Sequence, residues 1–351
     1  MPMERHEPSY MKSFRCLAGA CPQTCCQGWE VPIDRETARY YGTLPGELGE
    51  RVRALLTTGE EGEAAFLLRG DPCPFLTEGK LCELQLKLGE KGIGEICRGH
   101  PRFSYDFGSL VEHGLCGSCP ETARLILEND LVLCAARQEG EAGEAPSLLA
   151  PLLAARETAL GLLAVKEATV GERLQALLLF ANEVQVALDE AQPEVIPQLC
   201  GLYGEEFPLL APDALPDRRE ALDAGLDLLE RLEILSEDWK ALLSRGRELL
   251  AEGKDYPALE EARLRRAGSY FLYRHWLRGV WDGDVLTWAE LAALGAAVCA
   301  LLAPLREEGF PEVFRLFCLE IEHDRDNLNA LQDAFQKELS LAQVLSAAGF
   351  A

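Results

Sequence analysis

Cationic charge is scarce in this chain: 34 lysines and arginines stand against 58 aspartates and glutamates, a net charge of −24. A field of that sign repels nucleic acid and anionic lipid, so neither is an expected partner, and it attracts basic ligands or lysine-bearing protein surfaces. The deficit is uneven. Residues 1–135 hold 14 basic and 20 acidic side chains, a net of −6, whereas the remainder holds 20 and 38, a net of −18. Long apolar runs are missing too. The opening MPMERHEPSYMKSF has no apolar core of signal-peptide length, and the nearest approach to a membrane span, Leu291 to Leu305, is alanine-rich and short. The expectation is a cytoplasmic protein with no membrane association. Low-complexity tracts and repeats are absent, and 48% hydrophobic with 26% charged residues is an ordinary globular balance. With 351 residues the chain has room for one large or two medium domains.

Cysteine is what the chain has in excess. Of its 13 cysteines, ten precede residue 135, and four of those fall in CLAGACPQTCCQGW as Cys16-x4-Cys21-x3-Cys25-Cys26. A thiol that merely fills a core needs no sequential neighbours of its own kind. Several thiolates converging on one centre are what a soft metal or an iron–sulfur cluster requires. A disulfide knot would use the same density, but a reducing cytoplasm argues against it. Cys73, Cys82 and Cys97 follow, then Cys116-Gly-Ser-Cys119, and Cys21, Cys73 and Cys119 each precede proline. Alone, Cys116-x2-Cys119 suits half a zinc site or a redox dithiol. Seven to nine cysteines exceed one tetrahedral site, which favours a cluster or two metal sites. Cys200, Cys299 and Cys318 stand singly among apolar residues and read as core thiols.

Helical signals dominate the rest. Asp34 is placed to cap a short helix through Tyr41, a second helix is expected from Pro45 to Leu56, and CELQLKLGE ends at Gly89. Ala65–Leu68 and the aromatic stretch after Cys97 read as short strands. Glu78-Gly79 reads as a turn that brings Cys73 to Cys82, and Pro120 suits the first turn of a helix. Gln138 to Ser147 is the expected linker. Beyond it, helices are expected over 148–165, 170–190, 218–235, 237–251, 257–280, 286–305, 311–321 and 325–348. The fold class expected is mainly α: a loop-rich cysteine-cluster module, residues 1–137, packed on an all-helical part, residues 148–351.

The succession YMKSFRC…C…CCQGW, CPFL…G-x-LC, CRGHPR and CPETARLIL resembles the flagellin lysine-N-methylase family, which shares its cysteine pattern with small zinc- or iron-chelating cysteine-cluster domains. The resemblance rests on Tyr10-Met11, Phe14, Cys16, Cys21, Cys25-Cys26, Trp29, Asp34, Cys73-Pro74-Phe75-Leu76, Leu81-Cys82, Cys97, Pro101-Arg102 and Cys119-Pro120-Glu121, about the first third of the chain. It implies methyl transfer from S-adenosylmethionine to lysine ε-amines of flagellin, and an iron–sulfur cluster, of the 4Fe–4S type, with zinc as the alternative metal. The ligands it implies are Cys16, Cys21, Cys25, Cys26, Cys73, Cys82, Cys97 and Cys119. The radical adenosylmethionine spacing Cys-x3-Cys-x2-Cys is not met, because Gly28 stands where the third cysteine belongs. Neither a βα barrel pattern nor a complete dinucleotide-type glycine loop is present. The rival reading is a non-enzymatic zinc- or iron-binding module whose helices form a platform for a partner.

Other residues carry weaker signals. Arg98 and Arg102 suit bidentate binding of the donor's carboxylate, or charge balance for a thiolate-rich centre, which is the preferred role. His100 has the chemistry of a ligand or general base, but a hydrogen-bonding surface role is favoured. Trp29, Tyr40 and Tyr41 offer an aromatic wall for a sulfonium or lysine, with core packing the favoured fate. No catalytic base is identified.

Overall fold

A computed structural model describes residues 2–26, 31–58, 62, 64–66, 72–210, 215–253, 260–322 and 324–349. The chain opens in strand β1 (Pro2–Pro8), which lies inside a four-stranded sheet. Its neighbours come from far along the sequence. On one side β1 pairs in parallel with β6 (Leu110–Leu115), itself in an antiparallel hairpin with β5 (Arg102–Asp106). On the other it pairs antiparallel with β7 (Leu133–Glu141), giving the order β5-β6-β1-β7. A parallel pair cannot be joined by a tight turn. Here the crossover from β1 to the β5–β6 hairpin contains the whole cysteine-rich stretch.

That stretch folds around a second sheet, β2-β4-β3, built from β2 (Val31–Ile33), β3 (Thr57–Thr58) and β4 (Ala64–Phe66). Helices α1 (Arg35–Thr43) and α2 (Gly46–Leu55) lie between β2 and β3 as expected, and α3 (Glu83–Leu88) ends at Gly89, whose φ of +74° is a conformation glycine adopts freely. A five-residue helix, α4 (Glu95–Gly99), carries Cys97. Val31, Ile33, Tyr41, Leu44, Val52, Phe66, Phe75, Leu84 and Ile93 form a small core of their own. Tyr41 is fully buried there, 6.1 Å from Phe66, while Tyr40 is exposed; Trp29 lies outside the described residues.

After β6, α5 (Pro120–Glu128) starts with its proline in the first turn. Among the described residues eleven α-helices follow β7: α6 (Leu149–Ala164), α7 (Val170–Asp189), α8 (Ile196–Glu205), α9 (Arg218–Glu230), α10 (Glu237–Glu252), α11 (Glu261–His275), α12 (Gly279–Asp282), α13 (Leu286–Leu302), α14 (Phe310–Ile321), α15 (Arg325–Lys337) and α16 (Leu341–Ala348). The expected mainly helical fold, with an all-helical C-terminal part, is what forms. Helix α13 is the axis of this body: every residue from Thr287 to Leu302 is buried. With its continuation to Leu305 it is long and apolar enough to cross a membrane by length and composition, contrary to the expectation from Leu291–Leu305, but 89% of its apolar window is buried inside the protein. Packing against α11 and α14, not lipid, accounts for its composition.

Four differences from the sequence expectations have physical causes. The expected linker is strand as far as Glu141, because Gln138 pairs with Met3 and Glu141 with Pro2. The single helix expected over 325–348 is two, since Ser340 caps α16 and accepts from the Gln343 amide in a capping box. The helix expected over 257–280 continues beyond His275 as a 3-10 turn, Trp276–Arg278, and then α12. Helix α8, begun by Pro197 in its first turn, was not expected at all. Across the expected boundary between 1–137 and 148–351 one core is continuous: Tyr10, Phe14, Phe107, Leu110 and Leu115 belong to the same cluster as Leu152, Leu163 and Phe271.

A candidate thiol centre beside the helical body

The opening cysteine loop is held against the rest of its module by backbone contacts. Cys73 N–H donates to the Cys26 carbonyl at 2.7 Å, and the Lys80 ammonium donates to the Cys21 carbonyl at 3.2 Å. A β-carbon on Gly19 would stand 2.9 Å from the Gly79 carbonyl oxygen, so only glycine lets these two turns approach. The 77–80 turn closes through Thr77 N–H to Leu81 O at 2.9 Å, and Leu76 bridges Cys82, which draws Cys82 beside Cys73 as expected. Both thiols pack on the small core.

Cys97 arrives by another route. The Asp34 carboxylate accepts from Thr37 N–H at 2.8 Å, capping α1, and its second oxygen accepts from Glu95 N–H at 2.9 Å, at the start of α4. One side chain therefore fixes two helices, the second bearing Cys97. The Tyr41 hydroxyl donates to Gly92 O at 3.2 Å and anchors the same approach. The sequence offered Asp34 only as a cap for α1; its second partner is 61 residues away.

These supports bring Cys25, Cys26, Cys73, Cys82 and Cys97 within electrostatic reach of one another. The Cys26 thiol donates to Cys25 and lowers Cys25 to about 7 against the effect of burial, while the same bond, then burial, pushes Cys26 up. Burial raises Cys73, with Cys82 and Cys25 adding to it. Cys97 is exposed over the residue as a whole, yet enough protein surrounds its sulfur for burial to lead, and with Cys82, Cys73 and Cys25 it brings the thiol to about 12. A second set adjoins the first: burial raises Cys21, whose charged neighbours are Cys16, Cys25 and Lys80, and burial raises Cys119 against the Thr122 and Glu121 amides, with Cys21 within electrostatic reach.

The pattern has a simple electrostatic meaning. Neighbouring thiols oppose each other's ionisation, and the hydrogen-bonded pair Cys25 and Cys26 loses its first proton more readily than its second. Burial leads on both Cys73 and Cys97; the Phe75 amide opposes it at Cys73, other thiols add to it at both, and no cation is among the leading influences. Arg98 is exposed, and Arg102 is exposed with its guanidinium 5.0 Å from the Phe14 ring centre. A bound metal would supply the missing positive charge, since thiolates are its ligands and coordination drives off their protons. Among the described residues no three His, Cys, Asp or Glu side chains are set close enough to share one metal ion. Cys25, Cys26, Cys73, Cys82 and Cys97 are thus within electrostatic reach of one another without being drawn together as the ligands of a single ion.

The Cys116–Cys119 pair divides. Cys116 is buried and its sulfur accepts from Arg274 at 3.1 Å, whereas Cys119 caps α5. Around Arg274 lies a buried polar network that sequence reasoning missed. Glu322 forms an ion pair with Arg274 at 2.9 Å, meets His275 Nε2 at 2.7 Å and accepts from the Tyr270 hydroxyl at 2.6 Å. Burial opposes its charge, but these three partners prevail and hold Glu322 at about 2; burial holds His275 down at about 4. A second buried pair, Arg156 to Glu112 at 2.5 and 2.7 Å, joins α6 to β6. The one legible signal was Tyr270 and Arg274 four apart on one helical face; their partners are too remote for any local pattern. His100 is half-buried beside β5.

No family model matches the chain, and no solved structure matches it. Among curated proteins it is 25% identical over 237 residues to a protein named Lysine-N-methylase from Salmonella choleraesuis (strain SC-B67), and 26% identical over 231 residues to one of the same name from Salmonella typhimurium (strain LT2). Each match covers 59% of this chain and 57% of the relative, so the chain spans little more than half the length of these relatives. It is also 29% identical over 129 residues to the Flagellar biosynthetic protein FliU from Salmonella muenchen, covering 35% of this chain and 76% of that protein. These similarities relate the chain to the lysine-N-methylase family.

Proposed function

We propose that this chain is a protein-lysine N-methyltransferase that takes its methyl group from S-adenosylmethionine, acts on flagellin, and carries an iron–sulfur cluster on the thiols of its N-terminal module. The observation that carries the reading is that Cys25, Cys26 and Cys97 lie within electrostatic reach of Cys73 and Cys82, which pack on the small core, in a chain similar to two lysine-N-methylases. The similarity to a flagellar biosynthetic protein supports the choice of acceptor.

The hydrogen-bonded pair Cys25 and Cys26 gives up a first proton more readily than an isolated thiol, and with Cys73, Cys82 and Cys97 it would hold the cluster, whose charge offsets repulsion among the thiolates. Cys16, Cys21 and Cys119 complete the donor set at its edge. When bound, the cluster supplies the positive charge the thiolates lack and ties together a module whose own core is small. In methyl transfer, the neutral lysine nitrogen forms a bond to the methyl carbon as the carbon–sulfur bond of the sulfonium breaks. S-adenosylhomocysteine leaves, and the amine gives up a proton. The chain's part is to desolvate the ε-amine so that it is neutral at working pH. Excess acid on the helical body favours approach of a lysine-bearing surface; a groove between α9 and α10 is lined by Glu220, Asp223 and Asp227 beside Arg219 and Arg247, which pairs with Asp223.

The test incubates full-length protein, anaerobically prepared, with flagellin and methyl-labelled S-adenosylmethionine. Label on lysine ε-nitrogen is the expected result. Absence of labelled lysine with a folded, metal-loaded chain, on every flagellin offered, overturns the reading in favour of a metal-binding module without enzymatic activity.

A further inference from the structure

The loop Cys116–Cys119 is the point where the helical body reaches the thiol centre, and it is held at almost every group. Cys116 N–H donates to Pro101 O at 2.7 Å, and Gly117 N–H donates to the Tyr270 hydroxyl at 2.8 Å. The Thr122 hydroxyl meets the carbonyls of Cys116 and, at 3.0 Å, Cys119. A β-carbon on Gly117 would lie 2.5 Å from the Cys318 sulfur, so the loop is pressed onto α14 as closely as glycine permits. Arg274 donates to the Cys116 sulfur at 3.1 Å while its ring-facing side lies 4.5 Å from the centre of Phe103 on β5. Tyr270 and Arg274 both lean on Glu322. These contacts hold Cys116 inside the body, and the Cys119 thiol, three residues on, lies within electrostatic reach of Cys21 of the cysteine module.

We propose that Arg274 and Tyr270, held by Glu322, are positioning residues for the Cys119 thiol: they clamp the Cys116–Cys119 loop to the helical body so that Cys119 meets the thiols of the module. The proposal rests on the reading of those thiols as a metal centre. It assigns the buried network a task, and it separates the two cysteines of the pair into an anchor, Cys116, and a ligand, Cys119. The helical body then contributes to the centre through one loop, and the fit of module to body sets how tightly the metal is held.

The test uses the full chain and two readouts, with iodoacetamide as the probe. In metal-free protein, Tyr270→Phe and Arg274→Met should each raise alkylation of Cys119 at least tenfold relative to Cys73 and Cys82, followed by peptide mass spectrometry. In iron-loaded protein, both should weaken the visible absorption of the centre and speed iron loss to a chelator several-fold. Tyr270→Phe removes only a hydroxyl, so it keeps the question open to test if Arg274→Met fails to fold. Unchanged Cys119 alkylation in a folded variant overturns the clamp. Failure of the wild-type chain to hold iron or zinc overturns the metal reading instead, and the alkylation ratios tell the two failures apart.

Discussion

The two hydrophobic cores of this protein differ in kind. The helical body buries tryptophans, phenylalanines and the entire circumference of α13, and extends its core into the four-stranded sheet. The cysteine module rests on nine buried apolar residues in its described part, with short strands and helices of five to ten residues. Burial of apolar surface scales with core size, and a core this small gives a module little independent stability. Natural modules of this size are commonly held by disulfides or metal. All the cysteines are free thiols, and the metal centre proposed above would supply the support that the small core lacks.

The largest break in that comparison should come from the thiols. Cys26→Ser is expected to abolish metal retention by anaerobically purified protein, while Cys299→Ser, in the α13 core, should keep it; metal analysis of both variants decides. Equal metal content would remove the opening loop from the centre.

Core truncation should divide the molecule next. Phe271→Ala in the helical body should cost about 3–5 kcal/mol of global stability, read by denaturant unfolding. Phe75→Ala in the module should leave that transition nearly in place and instead raise amide exchange over residues 31–93 in metal-free protein. A shared loss of global stability would show that the two cores unfold as one.

A pH test sharpens the contrast further. Glu290 is buried in α13, and burial, with Asp284 adding to it, raises its carboxyl to about 9. The folded chain therefore holds a proton that the unfolded chain releases above its ordinary value of 4.5. Stability from this group is complete below about 4.5 and falls as pH rises toward 9. Glu290→Gln should flatten that decline and stabilise the body by up to about 3 kcal/mol at pH 7. Identical unfolding profiles for wild type and variant between pH 5 and 9, in thermal melts, would contradict the assignment.

The smallest effect concerns charge. Association with flagellin should weaken between about 0.1 and 1 M salt, as the screening length falls from about 10 to about 3 Å. Binding indifferent to salt would leave the acidity of the helical body as a solubility feature.

How much of this was legible depends on the range of the interactions. Helices α6, α7, α10 and α14 were read almost to their ends, because apolar periodicity and caps are local signals, while α9 stops at Glu230, five residues before the expected Leu235. Asp34 was recognised as a cap for the same reason. Strand β1 was not recognised: PMERHEP is polar and flanked by proline, and it becomes a central strand only because β6 and β7 arrive from more than 100 residues away. The cysteine spacing announced a thiol centre, but the division of Cys116 from Cys119 depends on Arg274, 158 residues beyond Cys116. Arg98 and Arg102 were read as binding a donor carboxylate or balancing a thiolate-rich centre, and neither is among the leading charges on the Cys97 thiol.

The most direct measurement of the central claim is the iron and acid-labile sulfide content of the full chain purified without oxygen. The account predicts a brown protein with iron and sulfide in equal amounts, lost together when Cys25 is changed to serine. Zinc alone at full occupancy, or a colourless metal-free protein that is folded and stable, would contradict it.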